Sequence, residues 1–407
     1  MSYMNDVNNY DKVCADEALR VLRNFLPYST GAIENKQTHY YKSGFKDPLT
    51  GYDTDQYQTA NFIYFSDSHS DFFLADESLD NVKRTIEFAN NSPVKFDAVI
   101  HAGDVLTPFY IVDKSEAFSR ANRFFDEAKK CEAPFIFAKG NHDLNDWDNL
   151  PENMFTDEDF GKLIYNHVEE KHRIKRQLKK NGSKSTWHYY DIEDKRIRVV
   201  SVDINDTDKT VLTEKGTIKH HGGNSFYISQ EQMDWIINEA LQFDNKEDKN
   251  WGVIFTMHHI PTESKFHKNA VEWLLDVCEA FNKSSEFILD HKNPENSFFD
   301  LKISADFTRY APLPQKPHII CWLLGHMHED ILEVHKGINV LYILNNSATV
   351  ISSDPRVARV PGTVTQNCFD IVSIDTLHRK IRTFRYGAGV TCFGEGGDRF
   401  LPDGLSY

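Results

Sequence analysis

Pro134-Phe135-Ile136-Phe137-Ala138-Lys139-Gly140-Asn141-His142-Asp143 carries an apolar run straight into a cluster of polar ligand types. The run has the length and bounds of a buried strand. Where it stops, Asn141, His142 and Asp143 offer a side-chain carbonyl, an imidazole and a carboxylate. Four other apolar runs end in the same way. Phe62-Ile63-Tyr64-Phe65 leads into Asp67-Ser68-His69, and Asp97-Ala98-Val99-Ile100 into Gly103-Asp104. Val253 to Met257 closes on His258-His259-Ile260-Pro261, and His318 to Leu324 on Gly325-His326-Met327-His328. Oxygen and imidazole donors gathered at five strand ends describe a two-metal centre.

Between the first three strands, Leu79, Val82, Ile86 and Ala89, then Phe118, Ala121, Phe125 and Ala128, recur at helical spacing. A β-α-β-α-β order implies parallel strands with right-handed crossovers. Ligands in such sheets collect beyond the carboxyl ends of the strands, where all the early motifs lie. Residues 145–185 read as a polar, helical insert ending in a basic run, Lys171 to Lys184, on a solvated helix face. Ser185 to Ile192 and Arg196 to Val202 read as a hairpin, and Ser229-Gln230-Glu231-Gln232 as a capping box. Residues 263–316 form a second insert, with a helix near Ala270 to Phe281, placed to wall the site. Ile331 to Val334, Val340 to Leu344, Phe369 to Ile374 and Ile381 to Phe384 read as a run of antiparallel strands. At the other end, Leu19, Leu22, Phe25 and Leu26 predict a helix over 12–26 that Pro27 stops. Residues 1–58 then form a helical and irregular extension whose Tyr40, Tyr41, Tyr52 and Tyr57 are expected to pack on the core, with bordering the site as the alternative. Residues 59–407 form one continuous domain, an α/β sandwich of two sheets.

Composition bounds what such a site serves. A hydrophobic content of 40%, with 29 Phe and 17 Tyr, supports a sizeable core. A net charge of -15 argues against a nucleic-acid surface, which needs clustered Lys and Arg. It leaves phosphate-bearing small molecules open, since bound cations would dominate the local field. Six scattered cysteines without a CxxC pair read as reduced thiols. With no signal-peptide pattern at the N-terminus and no apolar run near the ~18 residues of a membrane span, the expectation is a cytoplasmic protein with no membrane partner.

Taken singly, Gly103-Asp104 or Asp67-Ser68-His69 is no more than a turn; taken in this order on strand ends, the set resembles the calcineurin-like metallophosphoesterases. Their pattern is D-x-H, G-D, G-N-H-[D/E], H and G-H-x-H, matched here from about Asn61 to His328. The ending, from Asp375 through Arg385-Tyr386-Gly387-Ala388-Gly389 to Asp398-Arg399, is similar to bacterial members. The resemblance implies a four-layer α/β/β/α sandwich of two mixed sheets, with the late strands in the second sheet. It also implies one metal held by Asp67, His69 and His328, a second held by Asn141, His326 and a middle histidine, and Asp104 bridging them. Strand register alone could favour His258 as the middle histidine, but the family's H-x-P spacing is met by His259-Ile260-Pro261. The expected ligand is therefore His259, with His258 a neighbour packed into the core or touching the substrate.

Donors of this kind suit Mn, Fe or Zn. Two such ions about 4 Å apart clamp the attacking and leaving oxygens of an in-line displacement, with a metal-held water as nucleophile. His142 is placed to stabilise phosphoryl oxygens or protonate the leaving group, and Asp143 either to orient His142 or to serve as an N-cap or turn residue. His101 reads as a core residue, and His220 and His221 as loop residues within possible reach of a substrate. The leading expectation is a di-metal phosphodiesterase acting on a small phosphate ester. The alternatives are a phosphomonoesterase on the same site and a non-catalytic metal-binding scaffold; a nuclease lacks the basic and aromatic stripe.

Overall fold

Successive residues of a strand point to opposite faces, so a strand between two layers feeds two cores. In the computed structural model, which describes residues 10–29, 59–107, 112–260, 269–350, 356–389 and 404–407, the central strands do this. Val199 and Ile254 enter one buried cluster, while Val200, Val253 and Phe255 enter the other.

The first half contains α1 (Tyr10–Ser29), β1 (Ala60–Phe65), α2 (Ala75–Asn91), β2 (Ala98–His101), α3 (Lys114–Ala128) and β3 (Phe135–Phe137). There follow α4 (Asp157–Phe160), α5 (Asn166–His172), β4 (Lys175–Leu178), β5 (Lys184–Ile192), β6 (Ile197–Ser201), α6 (Gln230–Trp235) and β7 (Gly252–Thr256). The rest comprises α7 (Asn269–Lys283), β8 (Glu286–His291), β9 (Leu301–Asp306), β10 (His318–Leu324) and β11 (Ile331–His335). The chain ends with β12 (Ile338–Tyr342), β13 (Cys368–Asp375), β14 (Lys380–Gly387) and β15 (Leu405–Ser406).

Among the described residues, one sheet has the order β15-β14-β13-β1-β2-β3 and the other β11-β12-β10-β7-β6-β5-β4. β1, β2 and β3 are parallel, as are β6, β7, β10 and β12; antiparallel strands flank both sets. Phe25 of α1, Val82 and Ile86 of α2, and Phe124 of α3 pack in the first core. Met233 of α6 and Leu274 of α7 pack in the second. The result is the α/β/β/α sandwich of two mixed sheets expected from the sequence. Both parallel sets point their carboxyl ends at the same region, and this places the five motifs together.

Four local expectations change. α1 continues past Pro27 to Ser29, since a proline in the last turn gives up a single helical bond. The basic run Lys171 to Lys184 is not one helix face: β4 pairs antiparallel with β5 at the sheet edge, where Lys and Arg discourage further pairing. The late strands are not one antiparallel run. β11 and β12 form a hairpin over Lys336-Gly337, both at positive φ (51° and 79°), and β12 then lies parallel to β10. Nor do all of them join the second sheet, because β13 pairs with β1 and β14 with β13 in the first.

The two sheets are tied near the site by a buried ion group. Arg385 of β14 gives Nη1 and Nη2 to Asp330 at 2.8 and 2.7 Å and Nε to Asp370 at 2.6 Å. A planar guanidinium with its bonds filled on both sides fixes geometry as well as charge. In the second insert, α7 and the β8–β9 hairpin pack against the second core through Leu274, Leu301 and Ile303. Its approach to the site through residues 261–268, the tyrosines at 40, 41, 52 and 57, and Asp398-Arg399 lie outside the described residues. No described helix is long and apolar enough to cross a membrane.

Candidate metal centre

Five of the motif residues sit at positive φ: Asp67 (53°), His69 (39°), Asp104 (60°), His326 (70°) and His328 (52°). Left-handed backbone is disfavoured for residues carrying a Cβ, and its recurrence at one spot marks strain held for function. The strain is held by bonds between strand ends. Asp67 N donates to Gly103 O at 2.8 Å, His69 N to Asp104 O at 3.1 Å, and Gly325 N to His258 O at 2.8 Å. His326 N donates to Asp67 Oδ2 at 2.8 Å, joining the first sheet's motif to the second's. Gly140 permits a close approach: a Cβ there would meet Asp104 Oδ1 at 2.0 Å.

Two groups of donor atoms converge. Asp67, His69 and His328 form one, with His69 Nε2 3.2 Å from His328 Nε2. Asp67 Oδ1 is buried and lies 3.2 Å from His328 Nε2, without the geometry of a hydrogen bond. In the other, His326 Nδ1 lies 2.9 Å from Asn141 Oδ1 and 3.3 Å from His258 Nε2. Asp104 stands between them, its Oδ2 3.1 Å from His258 Nε2.

Tautomers follow from the carbonyls behind the rings. His69 Nδ1 lies 2.9 Å from Leu106 O and His258 Nδ1 2.7 Å from Ala102 O. A carbonyl only accepts, so each Nδ1 carries a proton and each Nε2 turns a lone pair inward when the ring is neutral. For His258 that lone pair would face a carboxylate. A proton or a metal cation relieves the clash. Without metal the proton wins: burial pushes His258 down, but Asp104 and Asp67 outweigh it and raise the ring to about 9. Burial pushes both carboxyls up, yet His328 and His258 beside Asp67, and His142 and His258 beside Asp104, hold them below the ordinary carboxylate range. Inward lone pairs, an orphaned carboxylate oxygen and an all-nitrogen-and-oxygen donor set fit a pair of borderline or hard cations.

His259 differs from its neighbour. Its ring stacks on His326 at 3.9 Å and meets Phe226 edge-on at 4.4 Å, and its Nδ1 has no hydrogen-bond partner among the described residues. It does lie within reach of His258 and His326 as a third donor.

His142 sits at the mouth of the centre, Nε2 3.5 Å from Asp104 Oδ2 and Nδ1 without a hydrogen-bond partner among the described residues. Burial lowers it to about 4. Asp143 does not orient that ring. Its carboxylate accepts the backbone N–H groups of Gly140, Asp104, Val105 and Leu106 at 2.7, 3.0, 2.7 and 3.2 Å. Asp143 therefore clamps the Asp104 loop onto the Asn141 loop. Burial and Asp104 push it up to about 7 against those bonds.

What orients His142 is a residue absent from the motif set. Trp147 stacks on His142 at 5.0 Å, and His221 stacks on Trp147 at 5.8 Å. Asp146 secures the same loop by accepting Gly222 N at 3.1 Å and Lys209 Nζ at 2.7 Å. A Cβ at Gly223 would strike the Trp147 ring at 2.2 Å. The only sequence signal for Trp147 was an aromatic residue in an otherwise polar loop. His220 turns instead to Phe299, at 5.1 Å. His101 is buried beside Phe65 and Phe124, bonded to Ser68 Oγ at 3.0 Å, and burial pushes it down to about 3.

The family model for calcineurin-like phosphoesterases matches residues 60–330, the span from β1 to just past the last histidine pair. The chain belongs to the calcineurin-like phosphoesterase family. Metal-dependent phosphoester hydrolysis is the chemistry of that family, and this calcineurin-like chain has candidate residues for a binuclear site. Comparison with curated proteins yields no match. Among solved structures it is similar to TT1561 of Thermus thermophilus (11% identity, 80% of this chain and 98% of that one, TM-score 0.34). Another is the phosphopantetheinyl hydrolase of Mycobacterium tuberculosis (14% identity, 72% and 91% covered, TM-score 0.32). A third is an archaeal phosphodiesterase (11% identity, 80% and 99% covered, TM-score 0.31).

Proposed function

We propose that this chain is a di-metal hydrolase of small phosphate esters with a preference for diesters. One observation carries the reading: seven side chains from two sheets aim nitrogen and oxygen donors at one point, and the tautomers of His69 and His258 are set from behind. Asp67, His69 and His328 would hold one ion, Asn141, His258 and His326 the other, with Asp104 shared. When bound, the two ions would supply the positive charge that activates water and grips phosphoryl oxygens. The chain's own residues do the rest. Asp143 keeps the Asp104 and Asn141 loops at fixed separation. His142, neutral through burial, has an N–H to donate toward the leaving-group oxygen as charge develops there. Its stack on Trp147 sets the ring plane.

The diester preference is supported by the walls. A monoester dianion needs cations beyond the metals, and no Lys or Arg is among the described residues lining the cavities beside His69 and His142. The test uses bis-p-nitrophenyl phosphate and p-nitrophenyl phosphate with chelator-stripped protein, then with Mn²⁺, Fe²⁺ or Zn²⁺ restored. Diester turnover above monoester turnover, dependent on metal, is expected. Metal-loaded protein that turns over neither would leave the scaffold reading.

His258, and not the H-x-P histidine, is proposed as the second ion's ligand. Elemental analysis of His258→Ala is expected to find one ion of the pair missing, while His259→Ala retains both. The reverse pattern would move the role to His259.

A further inference from the structure

Beside the ligands lies a cavity more apolar than phosphate chemistry requires. It measures about 580 Å³, begins at His69, His142 and His328, and is walled by Phe72, Phe73 and Leu74. Three apolar residues thus follow Asp67-Ser68-His69 almost at once, held by the same turn, with Ser70 N bonded to Val105 O at 2.9 Å. The Phe72 and Phe73 rings meet edge to face, centroids 4.4 Å apart. Phe73 is 68% exposed. A single exposed aromatic needs no explanation. An aromatic pair opening onto a reaction centre is different, because the exposed Phe73 ring walls the same cavity that His69, His142 and His328 line. Volume and lining are those of a site for a drug-sized organic group. With no Lys or Arg among the described residues lining it, the space favours an uncharged group over a second phosphate or a carboxylate.

Resting on the hydrolase reading above, we propose that this cavity receives the leaving group of the substrate, and that this group is an apolar, ring-bearing alcohol. His142 lines the same space, so a group seated there hangs from the oxygen that His142 faces. In the reaction, the oxygen of water bonds to phosphorus and the P–O bond to the ring-bearing alcohol breaks. The alcohol departs with one of the protons of water, leaving the monoester.

The experiment compares methyl 2-naphthylmethyl phosphate with dimethyl phosphate on metal-loaded protein, products being separated by chromatography. The two leaving alcohols are similar in acidity, so a rate difference reports binding of the ring. A preference of at least roughly tenfold in kcat/KM for the naphthyl ester is expected, the size that apolar pocket contacts give. Phe73→Ser, at an exposed position, is expected to cut that ratio several-fold. In a second arm, calorimetry compares 2-naphthylmethylphosphonate with methylphosphonate, whose P–C bonds this chemistry does not break. Tighter binding of the naphthyl compound, lost in Phe73→Ser, supports the cavity's role. Equal kcat/KM for both esters, or a preference untouched by Phe73→Ser, overturns the proposal. Hydrolysis of neither ester would sink the hydrolase reading instead, and the phosphonate arm would then decide the cavity alone.

Discussion

Asp104→Ala is expected to leave at most one metal ion per chain and to lower kcat/KM by on the order of 10³-fold or more, since ions of this kind supply several kcal/mol of charge stabilisation. The carboxylate is the group both donor clusters share: Oδ2 lies 3.1 Å from His258 Nε2 and Oδ1 accepts the backbone N–H of His142 at 3.0 Å. Removing it takes away the negative charge between two cation sites and also an acceptor for a part-buried N–H. The second loss costs roughly 1–3 kcal/mol of stability. Asp104→Asn separates the two effects, because an amide oxygen keeps the His142 bond and loses the charge. Elemental analysis and circular dichroism are then read together. Metal loss in both variants, with the fold intact, assigns the effect to charge. Two ions retained in Asp104→Ala would overturn the shared role.

His142→Ala is expected to keep both metals and to lose roughly 10²–10⁴-fold in kcat, the range of one positioned hydrogen-bonding or proton-transferring side chain. The loss should sit at the low end for p-nitrophenolate, a leaving group that needs little help, and at the high end for an alkoxide. That gradient is the informative part. A residue that merely supports the fold would slow both substrates alike, and one that holds metal would lower ion content. Equal metal loss in His142→Ala and Asp104→Ala would mean that His142 belongs among the ligands.

Much of this protein was legible one residue at a time. The short apolar runs before Asp67, Asp104, Asn141, His258 and His326 needed only their neighbours to be read as strands. The helices between the first three forced parallel pairing. Other features were beyond local reading. β13 and β12 carry the same kind of apolar pattern, yet β13 pairs with β1 and β12 with β10. Asp143, next to His142, looked like its orienting partner until its oxygens were found to be filled by four backbone N–H groups. Trp147 and His221 belong to no motif, and only the folding of one loop over another stacks Trp147 on His142 and His221 on Trp147.

Ligand chemistry and the alternation of strand and helix therefore follow from residue type and short-range periodicity, because donor type is a property of the side chain and strand or helix is a choice made over a few residues. Which donor faces which is another matter. His258 Nδ1 meets a carbonyl 156 residues away and His326 N a carboxylate 259 residues away. Those contacts set the tautomer at His258 and the backbone at His326. A spacing rule written along the chain pointed to His259, whereas the folded chain turns the Nε2 of His258 toward Asp104. Hydrogen bonding acts through space, so the orientation of each ring was decided only when the two sheets came together.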